Sequence, residues 1–214
     1  MALHLKWFTF NPFSENTYIL YGDNKDCIIF DPGCSSMQEE QMLTQFIDEK
    51  KLVPSRLILT HAHIDHVMGV KFIAGKYGLK LEMHEADLPV YESAGNIARM
   101  YGLPFNQGPQ PEIFLDEQDE LVIDHTLLQI FHTPGHSPGS ICFYCKQNNF
   151  LIGGDVLFNG SIGRTDLPGG DFDILSHSIK SKLYTLPDET TVFSGHGSST
   201  KIGQEKLHNP FVTI

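Results

Sequence analysis

Residues 59–69, LTHAHIDHVMG, place His61, His63, Asp65 and His66 within six positions. The preceding run, RLILT, is short and apolar and reads as a strand; residues 67–77 return to helical spacing, with the first turn opening at Asp65. The cluster is therefore a strand-to-helix loop. In an extended segment, side chains two residues apart project to the same side, so His61 and His63 can reach one ion. Asp65 and His66 begin the helix and point elsewhere. One loop can serve two ions.

Upstream, LHLKWFTF, NTYILY and CIIF read as three strands, the last ending in Asp31-Pro32-Gly33, and form an antiparallel meander. Residues 37–50 carry Met42, Leu43, Phe46 and Ile47 at helical spacing, with Ser35 or Ser36 as a cap. Downstream come a strand in KLEMH, a helix over 85–101 and a Pro/Gly-rich loop over 103–111. Strands are expected near 112–115, 120–123, 127–131, 140–144 and 150–152, then a helix over 173–183 and a last strand in TVFSG. Strand-rich halves, each closed by helices, predict an α/β (α+β) architecture of two sheets face to face with helices outside.

Of the 214 residues 41% are apolar, enough for a well-buried core, and the 19 glycines and 12 prolines are scattered rather than gathered into a linker. A single domain over 1–214 is expected. A formal charge of −11 with no cluster of lysine and arginine argues against a nucleic-acid partner. The first twenty residues interrupt their apolar runs with His4, Lys6, Asn11, Ser14 and Glu15, unlike a signal peptide or a membrane span. A cytoplasmic protein with no membrane partner is expected; composition leaves the oligomeric state open. Of the four cysteines, Cys142 and Cys145 have the spacing of a metal or redox pair, but strand alternation in ICFYCK turns them to opposite faces. They read as buried strand residues.

Three later motifs complete the histidine cluster: His136 in TPGHSPGS, Asp155 in LIGGDVLF and His196 in VFSGHGSS, each in a Gly-rich loop after a predicted strand. Five histidines and two aspartates, with no thiolate, suit Zn²⁺, Fe²⁺ or Mn²⁺ at a catalytic site better than a structural zinc. One ion takes His61, His63 and His136, and the other Asp65, His66 and His196. The Asp155 carboxylate bridges them, and the shared water becomes the nucleophile. His4, His84, His125, His177 and His208 read as ordinary surface or core histidines. His132, four residues before His136 but on the strand, reads as support for that loop.

HAHIDH followed by this histidine, aspartate and histidine resembles the ligand series of the metallo-β-lactamase superfamily, in order and loop context, over nearly the whole chain. The resemblance implies an αββα sandwich of two mixed β-sheets flanked by helices, with two divalent ions, zinc first and iron or manganese as alternatives, in the cleft between the sheet edges. It also matches Asp31 in FDPG to a carboxylate that steadies the histidine loop from behind. GGDVLFNGSIGRTDLPGGD and SGHGSSTKIGQEKLHNPF are similar to the short bacterial type II glyoxalases, the hydroxyacylglutathione hydrolase-like proteins. That likeness implies hydrolysis of a small-molecule thioester such as S-lactoylglutathione by a metal-bridging hydroxide, with Asp65 and Asp155 as the catalytic carboxylates.

Two departures bear on that expectation. The helical extension with which longer glyoxalases hold glutathione has no counterpart after His196, so contacts with the thiol are expected to be few. Arg164 and Asp166 in GRTD are shared with persulfide dioxygenases, where two histidines and a carboxylate hold a single iron; His61, His136 and Asp155 are the corresponding triad here. A non-catalytic metal-binding scaffold is the alternative from outside enzymology, and it predicts missing ligands.

Overall fold

The computed structural model describes residues 3–213. Strands β1 (His4–Phe10), β2 (Glu15–Tyr21) and β3 (Asp26–Phe30) form the expected antiparallel meander. Helix α1 (Met37–Lys50) starts where the Ser36 side chain accepts the Glu39 N–H and stops at Lys51, which is in the left-handed region at φ 54°. It returns the chain to β4 (Val53–Ile58), parallel to β3, and β5 (Leu81–Met83) and β6 (Ile113–Phe114) extend the sheet in the same sense. The first sheet therefore runs β1-β2-β3-β4-β5-β6.

The second sheet contains β7 (Glu120–Ile123), β8 (Thr126–His132), β9 (Ile141–Cys145), β10 (Phe150–Gly154), β13 (Thr191–Ser194) and β14 (Thr200–Lys201). Its order is β14-β13-β10-β9-β8-β7, with β10 and β13 parallel and the other neighbours antiparallel. A small hairpin of β11 (Leu157–Phe158) and β12 (Ser161–Ile162) stands apart.

Side-chain alternation builds four layers from these two mixed sheets. Leu20, Ile28, Phe30 and Ile58 of the first sheet meet Ile130, Ile141, Phe143 and Ile152 of the second, with the Phe30 and Phe143 rings 4.9 Å apart. The opposite face of the first sheet, with Ile19, Ile29 and Leu57, is covered by α1, α3 (Val70–Tyr77) and α4 (Leu88–Tyr101). The outer face of the second, with Cys142, Leu151 and Val192, is covered by α5 (Phe172–Ser181) and α6 (Ile202–His208). Strands β2 and β3 are covered on both faces, which explains their nearly continuous apolar runs. The arrangement is the αββα sandwich. No helix among the described residues is long and apolar enough to cross a membrane.

Several element boundaries differ from the sequence reading. The helix expected over 67–77 is divided into α2 (Ile64–Val67) and α3, because Gly69 N donates to Pro32 O at 2.7 Å and any Cβ there would collide with Cys34 Sγ. The strand expected at RLILT ends at Ile58, since the Thr60 amide leaves the ladder for the Asp31 carboxylate at 2.7 Å. It also begins earlier, and the pairing with β3 shifts register beside Pro54, which has no N–H to give. The helix expected over 85–101 opens with a 3-10 turn, Glu85–Asp87. The hairpin β11–β12, the edge strand β14 and helix α6 were not anticipated. Cys142 and Cys145 do face opposite sides: the first lies 3.2 Å from Thr133 Oγ1 under α5, the second in the layer between the sheets.

Candidate metal centre

Each candidate side chain follows a strand at the same end of the sandwich, five of them on loops and Asp65 and His66 on the short helix α2. Residues 59–63 follow β4, His136 lies in the turn between β8 and β9, Asp155 follows β10, and His196 follows β13. The parallel neighbours β10 and β13 release Asp155 and His196 side by side. A Cβ on Gly195 would collide with Asp155 Oδ1, so glycine is what permits this approach.

The structure brings all seven residues together. Ligand-capable atoms of His61, His63 and His136 lie within 4.8 Å of one another, as do those of Asp65, His66 and His196, and those of His61, His66 and Asp155. Asp155 lies between the sets: Oδ2 is 3.5 Å from His136 Nε2 and 3.4 Å from His196 Nε2, and Oδ1 is 3.5 Å from His66 Nε2. Asp65 Oδ2 is 3.0 Å from His196 Nε2.

Hydrogen bonds behind the rings fix which nitrogen faces the centre. His136 Nδ1 donates to the Arg164 carbonyl at 2.7 Å, and His196 Nδ1 to the carbonyls of Phe13 and Ser14 at 3.1 Å each. Thr60 Oγ1 donates to Asp31 Oδ2 at 2.6 Å and so accepts from His61 Nδ1 at 3.2 Å. In the neutral form of all three rings Nε2 is left as the lone-pair nitrogen. Two of these lone pairs then face one another, His136 Nε2 and His61 Nε2 at 3.2 Å, with His63 Nδ1 2.8 Å from His136 Nε2. Converging lone pairs repel unless a cation lies between them.

His66 Nε2 and Asp155 Oδ1 are buried with no hydrogen-bond partner among the described residues, a costly state that divalent ions would relieve. The residues present therefore fit metal ions. Burial holds His61 and His63 in the neutral, ligating form, lowering His63 to about 3, with the neighbouring imidazoles adding to the effect. Although burial acts in the opposite direction on each, His66 is raised well above the usual range by Asp155 and Asp65, and Asp155 is held well below it by His66 and His196.

The expected support from Asp31 is present. Its Oδ1 and Oδ2 take the Thr60 amide and hydroxyl, and Oδ2 is 3.1 Å from His66 Nδ1. Asp87 was not anticipated. It falls inside the helix expected over 85–101, and in the structure it precedes α4 without making a capping bond. Its carboxylate instead accepts from the Ala62 N–H at 2.7 Å, the Ser137 hydroxyl at 2.6 Å and the Gly139 N–H, tying the first histidine loop to that of His136. Glu15 was also missed; it is fully buried behind His66 and Asp31, and burial raises its carboxyl well above the usual range. His132 stays outside the cluster. It stacks on His84 at 4.0 Å and donates from Nε2 to Pro138 O at 2.9 Å, bracing the His136 loop as expected.

A sequence profile of the metallo-beta-lactamase superfamily matches residues 10–196, a span that contains every candidate ligand. The chain belongs to the metallo-β-lactamase superfamily. Membership in this superfamily implies a divalent metal centre, in keeping with the donor set. The hydroxyacylglutathione hydrolase GloC of Haemophilus influenzae is 38% identical over 202 residues, which cover 94% of this chain and 93% of that protein. Among solved structures, the BLEG-1 B3 metallo-beta-lactamase superposes with a TM-score of 0.90 at 38% identity, covering 99% of this chain and all of the other. TTHA1623 in a di-iron-bound form gives 0.88, also at 38% identity, covering 97% of this chain and 100% of that one. Two of these relatives, at the same 38% identity, carry different activity names, so the substrate has to be argued from the site.

Proposed function

We propose that the chain is a binuclear metallohydrolase that cleaves a thioester, S-lactoylglutathione being the reference substrate. The observation that carries this reading is the position of Asp155, whose Oδ2 lies 3.5 Å from His136 of the first set and 3.4 Å from His196 of the second, with Oδ1 3.5 Å from His66. A single carboxylate between two groups of three donors suits a pair of like-charged ions. Divalent ions held there supply a water acidified toward neutrality and a Lewis acid for the substrate carbonyl. The nitrogen and oxygen donors suit zinc first and accommodate iron or manganese.

In the reaction, water adds its oxygen to the acyl carbon and the carbon–sulfur bond breaks. The acyl group leaves as a carboxylic acid and the sulfur as a thiol, with no change of oxidation state. Asp155 and Asp65 would balance the charge of the centre. A thiolate with a conjugate-acid pKa of about 8.5 leaves unaided, so no separate general acid is required. The hydrogen bonds from His136 and His196 to main-chain carbonyls keep both rings aimed at the centre throughout turnover.

A mononuclear iron dioxygenase would use His61, His136 and Asp155; because all seven residues occur in both groups, the sequence between them, GGDVLFNGSIGRTDLPGGD, is what favours the hydrolase. The complete ligand set speaks against a scaffold. The test is to load the purified protein with zinc, iron or manganese, measure metal content, and follow thiol release from S-lactoylglutathione and oxygen uptake with glutathione persulfide. Thiol release with about two ions per chain supports the proposal; oxygen uptake with one iron, or silence in both assays, overturns it.

A further inference from the structure

Above the candidate ligands lies an open cleft of about 1130 Å³ whose chemistry is not that of a site for an anionic peptide. One wall is helix α4, which turns Val90, Ala94, Ile97, Met100 and Tyr101 toward the cleft. These positions follow helical spacing and form a continuous apolar stripe roughly 17 Å long, at 1.5 Å per residue. Met100 is 81% and Tyr101 57% exposed, an unusual expense of apolar surface for a helix end whose other face is already packed. Phe13, on the turn between β1 and β2, meets the Tyr101 ring edge-on at 5.8 Å and extends the apolar surface around that end of the cleft. The opposite wall, the β11–β12 hairpin, adds Phe158 and Ile162.

Charge points the same way. Apart from the candidate ligands, Arg164 is the one charged side chain lining the cleft among the described residues. Its guanidinium is already committed to Asp166, with both nitrogen–oxygen distances at 2.7 Å. Glutathione carries two carboxylates and two peptide groups that would need partners here, and away from the metal centre the lining offers them no cation other than Arg164.

We propose that the preferred substrate carries a linear apolar arm, laid along the α4 stripe from the metal centre toward Phe13 and Tyr101, and no anionic group on that arm. The arm is the acyl chain or the thiol of the ester; the chemistry that recognises it is the same. The inference rests on the hydrolytic reading for the scissile bond alone, since an apolar arm would bind the stripe whether or not it is turned over.

Two series of thioesters test it. In one, the acyl group on N-acetylcysteamine grows from acetyl to decanoyl; in the other, acetyl is kept and the alkyl thiol is lengthened. We expect kcat/KM to rise by about fourfold for each of the first several methylenes in one series, the value for full burial of a CH₂ group. The series that rises identifies the arm, and its longest members should surpass S-lactoylglutathione. In Ile97→Asp, with folding checked by circular dichroism, the rise should flatten. Flat profiles in both series, or a preference for S-lactoylglutathione over every apolar ester, overturn the proposal.

Non-hydrolysable thioethers of the same lengths separate this idea from the hydrolytic one. If no thioester is cleaved, the hydrolase reading falls. Thioether affinity that tightens with chain length in calorimetry, and does so less in Ile97→Asp, still supports the apolar arm, whereas affinity independent of length overturns it.

Discussion

The Asp87 carboxylate accepts the backbone N–H of Ala62 at 2.7 Å, midway between His61 and His63, although its own helix is the one that forms the apolar wall of the cleft. Through Ser137 and Gly139 the same carboxylate also holds the loop of His136. Three imidazoles aimed at one point thus depend on a residue that touches none of them. Asp87→Ala strips this support and leaves two buried N–H groups unsatisfied. It should cost about 3 kcal/mol of stability and weaken metal affinity by roughly 10- to 100-fold, measured by denaturant unfolding and competition with a chelator. Unchanged metal affinity would show that the loops hold their shape alone.

Asp155→Asn removes the charge that faces both ligand sets while leaving the volume unchanged. Metal content should fall below two ions per chain, and kcat/KM for thioester hydrolysis should drop by at least about a thousandfold, some 4 kcal/mol at the transition state. Elemental analysis and thiol-release kinetics on the same preparation check both; wild-type turnover would remove Asp155 from the centre.

Replacing Cys142 and Cys145 together with alanine should leave metal content unchanged, because the thiols lie on opposite faces of β9 and neither belongs to a ligand-capable group. Stability should fall by about 1–3 kcal/mol for the buried volume lost. Loss of a tightly held metal equivalent would contradict the strand geometry.

The metal-free protein should have a stability maximum near neutral pH. His61 and His63 have lowered pKa values in the folded state, His63 to about 3, so on acidification from about 6.5 the unfolded chain binds more protons and stability is lost. His66 and His196 are raised, His196 to about 10, so their contribution is present below about 6.5 and is lost as pH rises toward 10. Thermal midpoints of chelator-treated protein across this range test the shape. His63→Gln should flatten the acid side and His196→Gln the alkaline side; a monotonic profile indifferent to both would contradict it.

The seven candidate ligands could be read from the sequence because each lies just past the end of an apolar run, flanked by glycine or by another ligand, a local pattern that periodicity exposes. Asp31 could be read through its family motif. Other features depend on contacts made far along the chain. Nothing near Gly69 tells that Pro32 will take its amide and break the helix, and nothing near Asp87 tells that Ala62, 25 residues earlier, waits for its carboxylate. The two-residue strands of the β11–β12 hairpin are too short for alternation to register, and their place depends on Glu205, whose carboxylate accepts the Gly160 N–H from helix α6.

The split of the candidate ligands between the two sheets orders events during synthesis. His61, His63, Asp65 and His66 leave the ribosome with the first sheet, but His136, Asp155 and His196 arrive only with the second, and His196 follows nearly the last of its strands. A nascent chain would thus carry an incomplete shell, and tight capture of an ion would wait until both sheets have docked. An ion held there would join segments 75 residues apart at His61 and His136, a cross-link that resists separation of the halves.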